Sequence, residues 1–468
     1  MTGLIPRPVH TAWAGGTGPR PRRVVGEGAE TAARLLGLDT DGRGVAPGAG
    51  AGGRIELRLD DRAGAGPEAY RLVSGTDGVT ITAGGPAGLL HGVRTLAQLG
   101  EAPPLGEIRD APRYAYRGGM LDVSRHFFDV PQVLCYIDLL AAYKFNHLHL
   151  HLSDDQGWRI AVGALPRLAK VGGADGHYSA ADFRRIVAHA AAHHITVVPE
   201  IDLPGHTNAA LTAYPNLAVP GESGHLPYTV QEVGLSQVDT GSQRVFEFVD
   251  TVVRELAALT PGPLLHVGGD EALRIGAEDY ARFMRRVGDI VRAHGKRPMA
   301  WDEAALAGPD TVDVVQVWRP RGHGGAAVEE AVLAAARGGA RLVMSPADRV
   351  YLDMKYNGDT PLGTDWAARI GLPDAYDWDP AGYLPGLPDG AIVGVEAPLW
   401  TETLTTSAEL QRMLLPRLPA VAEVAWSPQQ DRDWADFARR VASHGRWWTG
   451  QGLAWTPVGE VAWDTAVS

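Results

Sequence analysis

The 468-residue chain has little that would tie it to a membrane, a nucleic acid or a disulfide framework. Its one cysteine, Cys135, excludes an intramolecular disulfide, and the helical surroundings VLCYIDLLAAYKF predict a buried, unreactive thiol. No stretch approaches the roughly 18 consecutive apolar residues of a transmembrane helix. The net charge of -12 argues against nucleic acid or an anionic membrane surface as a partner.

The first residues, MTGLIPRPVHTAWAGG, show no charged stretch followed by an apolar core, as a signal peptide would. We therefore expect a cytoplasmic protein, or a secreted one if a leader was trimmed. The composition, 45% apolar and 21% charged, is typical of a globular protein. The length suits a barrel of about 250–350 residues with a smaller partner domain.

Residues 1–112 predict a small α/β domain. RIELRLD (54–60) alternates apolar and charged residues, as a half-buried strand does, and GVTITAGG (78–85) indicates a second strand. Pro86 opens an apolar helical stretch, AGLLHGVRTLAQL. The segment 42–54 is rich in glycine and indicates a loop, and 109–118 would serve as the linker to the next domain.

Residues 113–468 predict a (β/α)8 barrel because strands and helices alternate there. Four of the expected helices are VPQVLCYIDLLAAYKF, SAADFRRIVAHAAAHH with a capping box at Ser179 and Asp182, GSQRVFEFVDTVVRELAAL, and EEAVLAAARGG. The strand candidates are GGMLDVS, NHLHLHLS, ITVVPEID, PLLHVGGDE, RPMAWDE, VDVVQVW, RLVMSP and AIVGVEAPLW.

A doubly wound open sheet would show the same alternation, so the ends of the strands decide between the two folds. Nearly every candidate strand ends in charged or aromatic residues, and three of them end at a tryptophan. In a parallel barrel all carboxyl ends converge on one mouth, where catalytic groups lie. The converging residues would be Arg125, Asp154, Asp155, Glu200, Asp202, Asp270, Glu271, Trp301 to Glu303, Trp318, and Trp400 to Glu402.

The segment HVGGDE (266–271) carries the clearest signal for chemistry. Its two glycines allow a ligand to approach the backbone closely, and two carboxylates follow at once. Adjacent like charges raise the pKa of at least one partner, which leaves one acid protonated near neutral pH. A solvated Asp-Glu turn would look the same without the surrounding motifs.

Two further clusters leave alternatives open. His147, His149 and His151 alternate along one strand and would point to one face, so a metal-dependent barrel hydrolase with Asp270 as a further ligand is the second hypothesis. Hydrogen-bonded interior histidines are the plainer explanation. In PEIDLPGHT (199–207), His206 follows a Pro-Gly turn and could tune a nearby carboxylate.

The chain contains 13 tryptophans, several of them near strand ends or in long loops. Aromatic rings pack against the apolar faces of pyranose sugars. Core filling explains any single tryptophan better, but three at the ends of barrel strands favour a sugar site. The three at strand ends are Trp301, Trp318 and Trp400, and Trp366 lies in a long loop.

With these segments in view, the chain resembles the family 20 glycoside hydrolases, the β-N-acetylhexosaminidases. The resemblance covers most of the chain from about residue 54, and its front part resembles the small α/β domain that often precedes this barrel. The motifs that carry it are DVSRHFF, NHLHLHLSDDQGWR, PEIDLPGH, HVGGDE, AWDE, QVW, YLD and LWTE.

The resemblance implies a retaining, substrate-assisted mechanism in which the 2-acetamido oxygen of the sugar is the nucleophile. Glu271 would be the general acid and then the base, and Asp270 would orient the acetamide and stabilise its developing charge. Tyr351 would hydrogen-bond the acetamide oxygen. The implied binding residues are Trp301, Trp318 and Trp400 around the acetamide, Trp366 toward the aglycone, Arg125, Asp353 and Glu402 on the sugar hydroxyls, and Asp154 with His206 behind Glu271.

The resulting expectation is an exo-acting enzyme that releases terminal β-linked N-acetylhexosamine, as a monomer or homodimer, without a metal or other cofactor. Its partner would be an oligosaccharide substrate. A non-catalytic glycan-binding barrel is the third hypothesis, against which the intact Asp270–Glu271 pair argues. The motifs do not distinguish the gluco from the galacto epimer.

Overall fold

The computed structural model describes residues 3–38, 53–60, 62, 64, 66–222, 232–323 and 325–464. Most of the glycine-rich segment expected at 42–54 lies outside the described residues. The described chain forms two units, a six-stranded sheet with helices followed by a closed barrel. Within the described residues, no helix is both long and apolar enough to cross a membrane.

The front unit is a mixed sheet whose strands lie in the order β1-β6-β4-β5-β3-β2. The β1, β6, β4 and β5 strands pair antiparallel, whereas β3 pairs parallel with both β5 and β2. Its strands are β1 His10–Thr17, β2 Pro21–Gly26, β3 Gly53–Leu59, β4 Tyr70–Gly75, β5 Gly78–Ala83 and β6 Pro104–Asp110.

Alternation along these strands puts apolar side chains on one face and charged ones on the other. Ile55 and Leu57 are buried under the helices, while Arg54 and Arg58 on the same strand face solvent. The strands predicted at 54–60 and 78–85 and the helix opened by Pro86 are therefore confirmed.

The second unit is a closed barrel of eight parallel strands in the order β7 to β14, which confirms the predicted barrel over an open sheet. The barrel closes through the pairing of β14 with β7, whose register runs from Gly394 opposite Tyr116 to Leu399 opposite Leu121. The strands are β7 Tyr116–Asp122, β8 His147–His151, β9 Thr196–Leu203, β10 Leu264–Gly268, β11 Arg297–Trp301, β12 Val314–Val317, β13 Arg341–Met344 and β14 Ile392–Leu399.

Helices cover one face of the front sheet and surround the barrel. The α-helices are α1 Ala29–Leu36, α2 Pro86–Leu99, α3 Val130–Ala142, α4 Ala180–Ala192, α5 Asn208–Ala213, α6 Gln243–Leu259, α7 Ala277–Ala293, α8 Gly325–Arg337, α9 Leu372–Tyr376, α10 Pro380–Tyr383, α11 Ser407–Leu414, α12 Arg417–Trp426, α13 Trp434–Ala442 and α14 His444–Gly450. Short 3-10 turns lie at Pro215–Leu217, Asp302–Ala307 and Gln429–Asp431, and a π turn lies at Leu168–Gly172.

The helix α4 begins as its sequence predicts. The side chain of Ser179 accepts a hydrogen bond from the backbone N–H of Asp182, and the Asp182 carboxylate accepts one from the Ser179 N–H. The expectation for Cys135 is wrong. Its thiol lies on the exposed outer face of α3, because the apolar stripe of that helix falls on Val133, Tyr136 and Ile137 instead.

The barrel interior changes from apolar to charged along its axis. One end is filled by Tyr116, Val198, Leu264, Met299, Val314 and Val343. Beyond that layer, toward the carboxyl ends of the strands, the interior holds buried histidines and carboxylates such as His149, Glu200 and Glu396. Buried charges persist only when they are paired, so this half of the barrel is a polar network.

The two units join through buried polar contacts. Asp110, at the end of β6, accepts hydrogen bonds from Tyr70 at 2.7 Å, from the Lys144 ammonium at 3.0 Å and from the Trp426 indole at 2.9 Å. Lys144 and Trp426 belong to the barrel unit, so the contact ties the two units together. The predicted division at 112/113 lies between the end of β6 and the start of β7 at Tyr116.

Candidate active site

An open cleft of about 480 Å³ lies at the carboxyl ends of the barrel strands. It brings together side chains that are distant in the sequence and follow six different strands. Ten of the residues expected at the site line it, together with Val233. The ten are Arg125, His206, Asp270, Glu271, Trp318, Tyr351, Asp353, Trp366, Trp400 and Glu402.

The end of β10 places the two carboxylates. Gly268 and Gly269 adopt φ of 69° and 101°, a region that residues with a side chain rarely occupy. A Cβ atom at Gly268 would lie 1.6 Å from a carboxylate oxygen of Asp202, so no larger residue fits there. Glu271 itself has φ of 49°, a left-handed conformation that is costly for a non-glycine residue. The turn that aims both carboxylates therefore depends on the two glycines.

The side chain of Asp270 is almost completely buried. It is 11% exposed, and its Oδ1 atom is buried with no hydrogen-bond partner among the described residues. Burial is the main cause that raises the pKa of Asp270 to about 7, the charges of Glu303 and Glu271 add to it, and His206 opposes it. The predicted elevation thus falls on Asp270, and desolvation contributes more than the adjacent like charge.

Behind Glu271 runs the polar chain expected from Asp154 and His206. The Nε2 atom of His206 lies 3.4 Å from Glu271 and 3.7 Å from Asp270, and its Nδ1 atom lies 3.1 Å from Asp154. Burial disfavours the charged imidazole, but Asp154 and Asp202 outweigh it and raise the pKa of His206 well above its usual range. Arg125, 2.8 Å from Asp154, helps to hold the pKa of that carboxyl low against its burial.

Four aromatic rings form one wall of the cleft. Tyr351 faces Trp318 with nearly parallel planes and a centroid distance of 6.3 Å, and it lies 6.2 Å from Trp400. Trp366 is 55% exposed and stands edge-on to Trp318 at the rim. Trp301 is almost completely buried beneath Trp400, with ring centroids 5.8 Å apart, and its indole N–H donates to Glu200 in the barrel interior. Trp301 thus packs behind Trp400 and is not itself among the residues that line the cleft.

A charged side of the cleft adjoins this wall at Trp400. Arg125 lies 4.8 Å from the ring of Trp400, and the buried carboxyl of Asp353 accepts a hydrogen bond from the Trp400 backbone N–H at 3.4 Å. Burial and the neighbouring charge of Glu402 raise the pKa of Asp353 well above its usual range. A hydroxyl-rich ligand would find a cation, two carboxyl groups and an aromatic face here.

The three alternating histidines do not gather around one point. His149 lies between Glu396 at 2.8 Å and Glu200 at 3.1 Å, and His151 contacts Glu200 and lies 2.8 Å from Asp154. His147 instead stacks on Tyr116 in another layer. Among the described residues, no cluster of potential metal-ligand atoms contains two of the three. His149 and His151 pair with buried carboxylates, whereas His147 hydrogen-bonds the side chain of Asn146 at 2.7 Å.

Two side chains next to the cleft were given no role there by the sequence, although Glu303 was expected at the barrel mouth. Glu303 accepts a hydrogen bond from the backbone N–H of Glu271 at 3.1 Å and one from the indole N–H of Trp318 at 2.9 Å. Arg319 forms ion pairs with Glu303 and Asp302. The AWDE segment placed Glu303 at a strand end, but nothing in the sequence shows which neighbours it would reach.

The arrangement suits acid–base chemistry on a sugar. An oxygen of Asp270 and one of Glu271 lie within 4.8 Å of each other and of His206, so the two carboxylates can serve neighbouring atoms of one ligand. The aromatic wall supplies an apolar surface for a ring, and the charged side supplies hydrogen-bond partners for hydroxyls.

Comparison with known families supports this interpretation. The model of the glycosyl hydrolase family 20 catalytic domain matches residues 114–429, and that of domain 2 of the same family matches residues 2–111. The chain is similar to the β-N-acetylhexosaminidase of Cellulomonas fimi, with 45% identity over 88% of this chain and 85% of that protein. It is 32% identical to a β-hexosaminidase of Akkermansia muciniphila over 81% of this chain and 83% of that one.

Solved structures agree over the whole length. The family 20 β-N-acetylhexosaminidase of Streptomyces coelicolor superposes with a TM-score of 0.92 and 44% identity, covering 98% of both chains. The N-acetyl-β-hexosaminidase of Streptomyces plicatus in complex with thio-NAglucal gives a TM-score of 0.92 and 45% identity, covering 98% of this chain and 97% of that one. The chain therefore belongs to glycosyl hydrolase family 20, and it is a glycoside hydrolase of the β-N-acetylhexosaminidase type.

Proposed function

We propose that the enzyme is an exo-acting, retaining β-N-acetylhexosaminidase that uses the acetamide group of its substrate as the nucleophile. The observation that carries this proposal is the buried, unpaired Oδ1 atom of Asp270 beside an aromatic wall. An N-acetyl group offers both an N–H for that oxygen and a methyl for the rings. A plain hydroxyl would offer a hydrogen-bond donor but no methyl group.

In the first step, Asp270 would accept a hydrogen bond from the acetamide N–H and hold the carbonyl oxygen near the anomeric carbon. That oxygen forms a bond to the anomeric carbon as the bond to the leaving group breaks. Glu271 donates its proton to the departing oxygen, and the sugar is left as an oxazolinium ion. The ionised Asp270 stabilises the positive charge that develops on the nitrogen.

In the second step, the ionised Glu271 would take a proton from a water molecule. The water oxygen attacks the anomeric carbon on the face the leaving group left and opens the oxazolinium ring. Two displacements restore the β configuration. His206 and Asp154 would hold Glu271 in place through both proton transfers.

The charged side of the cleft supports recognition of a terminal sugar. Arg125, Asp353 and Glu402 would bind its hydroxyls, and Trp366 at the exposed rim would contact the aglycone. A structure of Streptomyces plicatus β-hexosaminidase holds the product GlcNAc, which supports an N-acetylhexosamine as the ligand here. We propose both GlcNAc and GalNAc as terminal residues.

A pair of aryl substrates tests the nucleophile. We expect an aryl β-N-acetylglucosaminide to be hydrolysed and the corresponding aryl β-glucoside to remain intact, because only the first carries an internal nucleophile. Release of the aryl group is followed by absorbance. Comparable turnover of the glucoside would contradict substrate assistance.

The role of Glu271 is tested with the Glu271→Gln variant. A proton donor matters most when the leaving group is a poor one, so we expect a larger loss of kcat on alkyl or sugar leaving groups than on activated aryl ones. The kcat values for a series of leaving groups measure this. Equal losses across the series would show that Glu271 is not the acid.

A further inference from the structure

Glu303 connects two parts of the cleft that the mechanism treats separately. It lies just after β11 in the turn Asp302–Ala307 and is 7% exposed. One carboxylate oxygen accepts from the backbone N–H of Glu271, and the other accepts from the indole N–H of Trp318. The side chain therefore bridges the ends of β10 and β12.

Arg319 holds this carboxylate in place. Its guanidinium donates to the same oxygen of Glu303 that receives the Glu271 N–H, and it also pairs with Asp302. It lies 4.8 Å from the ring of Trp318. The Asp302 carboxylate in turn accepts hydrogen bonds from the backbone N–H groups of Trp318 at 3.2 Å and Arg319 at 3.3 Å. A planar guanidinium with several donors is suited to fix two carboxylates at once.

We propose that Glu303 is a positioning residue that couples the aromatic wall at Trp318 to the proton donor Glu271. The inference rests on the proposed function, since it concerns the acid step of that reaction. A substrate that packs against Trp318 would contact a ring whose indole N–H donates to Glu303. The backbone N–H of Glu271 donates to the same carboxylate. Correct seating of the N-acyl group and correct placement of the acid would then depend on one side chain.

The chemistry of this bridge requires a carboxylate. Three N–H donors, from Glu271, Trp318 and Arg319, converge on its two oxygens. An amide has one oxygen, so a glutamine at 303 would turn an NH2 group toward at least one donor. The hydrogen bond to the Glu271 N–H also helps to hold that residue in its left-handed conformation, which is unfavourable for a residue with a side chain.

The charge of Glu303 also reaches Asp270. After burial, Glu303 is the largest of the causes that raise the pKa of Asp270. Removing that charge is therefore expected to lower the pKa of Asp270. The charged and titratable groups that face Asp270 are Glu271 beside it, Glu200, Asp202 and His206 on and after β9, Glu303 after β11, Tyr280 on α7 and Tyr351 after β13.

The test compares Glu303→Gln, Trp318→Phe and the double variant on aryl and alkyl N-acetylglucosaminides. We expect Glu303→Gln to lose about 100-fold in kcat, as a small misplacement of a catalytic group does, with a smaller change in KM. The loss should be larger for alkyl than for activated aryl leaving groups. Trp318→Phe removes one donor to Glu303, so the double variant should lose less than the product of the single losses.

The pH profile of kcat/KM tests whether the charge of Glu303 acts on Asp270, while the leaving-group dependence and the double variant separate positioning from a purely structural role. The acid limb of Glu303→Gln should lie at lower pH than that of the wild type, because the pKa of Asp270 falls. The matched control is Glu423→Gln, which breaks another buried glutamate–arginine pair, with Arg440 among the C-terminal helices. It should keep the wild-type limb and kcat.

Each outcome decides between the two proposals. The coupling role would be overturned if Glu303→Gln kept the acid limb of the wild type and a kcat within about 3-fold of it, since a misplaced acid would cost far more. The proposed function would stand in that case, because the wild type still turns over. If Glu303→Gln does not fold, a Trp318→Phe variant that loses equally on all leaving groups would do the same. A wild-type protein without turnover would overturn the proposed function and this inference with it.

Discussion

The carboxyl group of Asp270 shows how one residue combines a chemical role with a cost in stability. Its folded-state pKa is about 7 against an ordinary 3.8, so the ionised form is disfavoured by the folded protein. The cost is absent below about pH 4, grows between pH 4 and 7, and is fully present above pH 7. A bound N–H at Oδ1 would stabilise the ionised form.

We therefore predict that Asp270→Asn inactivates the enzyme and yet stabilises it at high pH. The gain in the free energy of unfolding should be about 4 kcal/mol at pH 8 and close to zero at pH 4. Denaturant unfolding at the two pH values measures it. Asp389→Asn, in an exposed turn before β14, should change neither value. A gain of equal size at both pH values would contradict the argument.

At the scale of elements, the sequence pattern predicted the strands but not the side-chain contacts between them. All eight barrel strands follow from short apolar runs that end in polar or aromatic residues. The helix α7 was not among the expected helices, although Tyr280, Phe283, Met284, Val287 and Val291 follow a helical period and are buried. The partners of Glu303 lie 15 to 32 residues away on other strand ends, which no local pattern specifies.

The contacts of the alternating histidines of β8 could not be predicted from a local pattern either. Their common face was predictable, but their carboxylate partners lie on β9 and β14 and appear only once the barrel closes. Burial disfavours the charged form of His149, but Glu396 and Glu200 outweigh it and raise the pKa to about 9. This attraction stabilises the fold fully below about pH 6.5 and is lost as the pH rises through about 9.

We predict that Glu200→Gln destabilises the barrel strongly at neutral pH because it leaves charged histidines without their partner. The loss should be about 3–5 kcal/mol below pH 6.5 and should shrink as the pH rises through 9. Chemical denaturation across this pH range measures it. Glu247→Gln, on the exposed face of α6, is the control. A pH-independent loss would argue that His149 is not charged in the folded protein.

At the scale of the whole molecule, the sequence predicted two units and their order. It could not predict what joins them, because the joining residues Asp110, Lys144 and Trp426 lie in segments that look ordinary in isolation. Burial lowers the pKa of Lys144, and Asp110 opposes that shift. The buried charge of Asp110 in the front unit therefore has its partner, Lys144, in the barrel unit, and the reverse holds for Lys144.

Asp110→Asn should consequently weaken the junction rather than either core. We expect a loss of about 3 kcal/mol and a separate, earlier transition for the front unit in calorimetry, because the Lys144 ammonium loses its counter-charge. Asp77→Asn, in an exposed turn of the same unit, should unfold like the wild type. One unchanged transition would show that the apolar contacts alone hold the units together.

The exposed thiol of Cys135 has a practical consequence. The chain contains no other cysteine, and this one lies on the outer face of α3. A maleimide dye or surface linker would thus attach at a single defined point on the barrel wall. Partial burial and the nearby Asp138 and Asp129 raise the pKa of the thiol, so labelling should proceed faster in mildly alkaline buffer than at neutral pH.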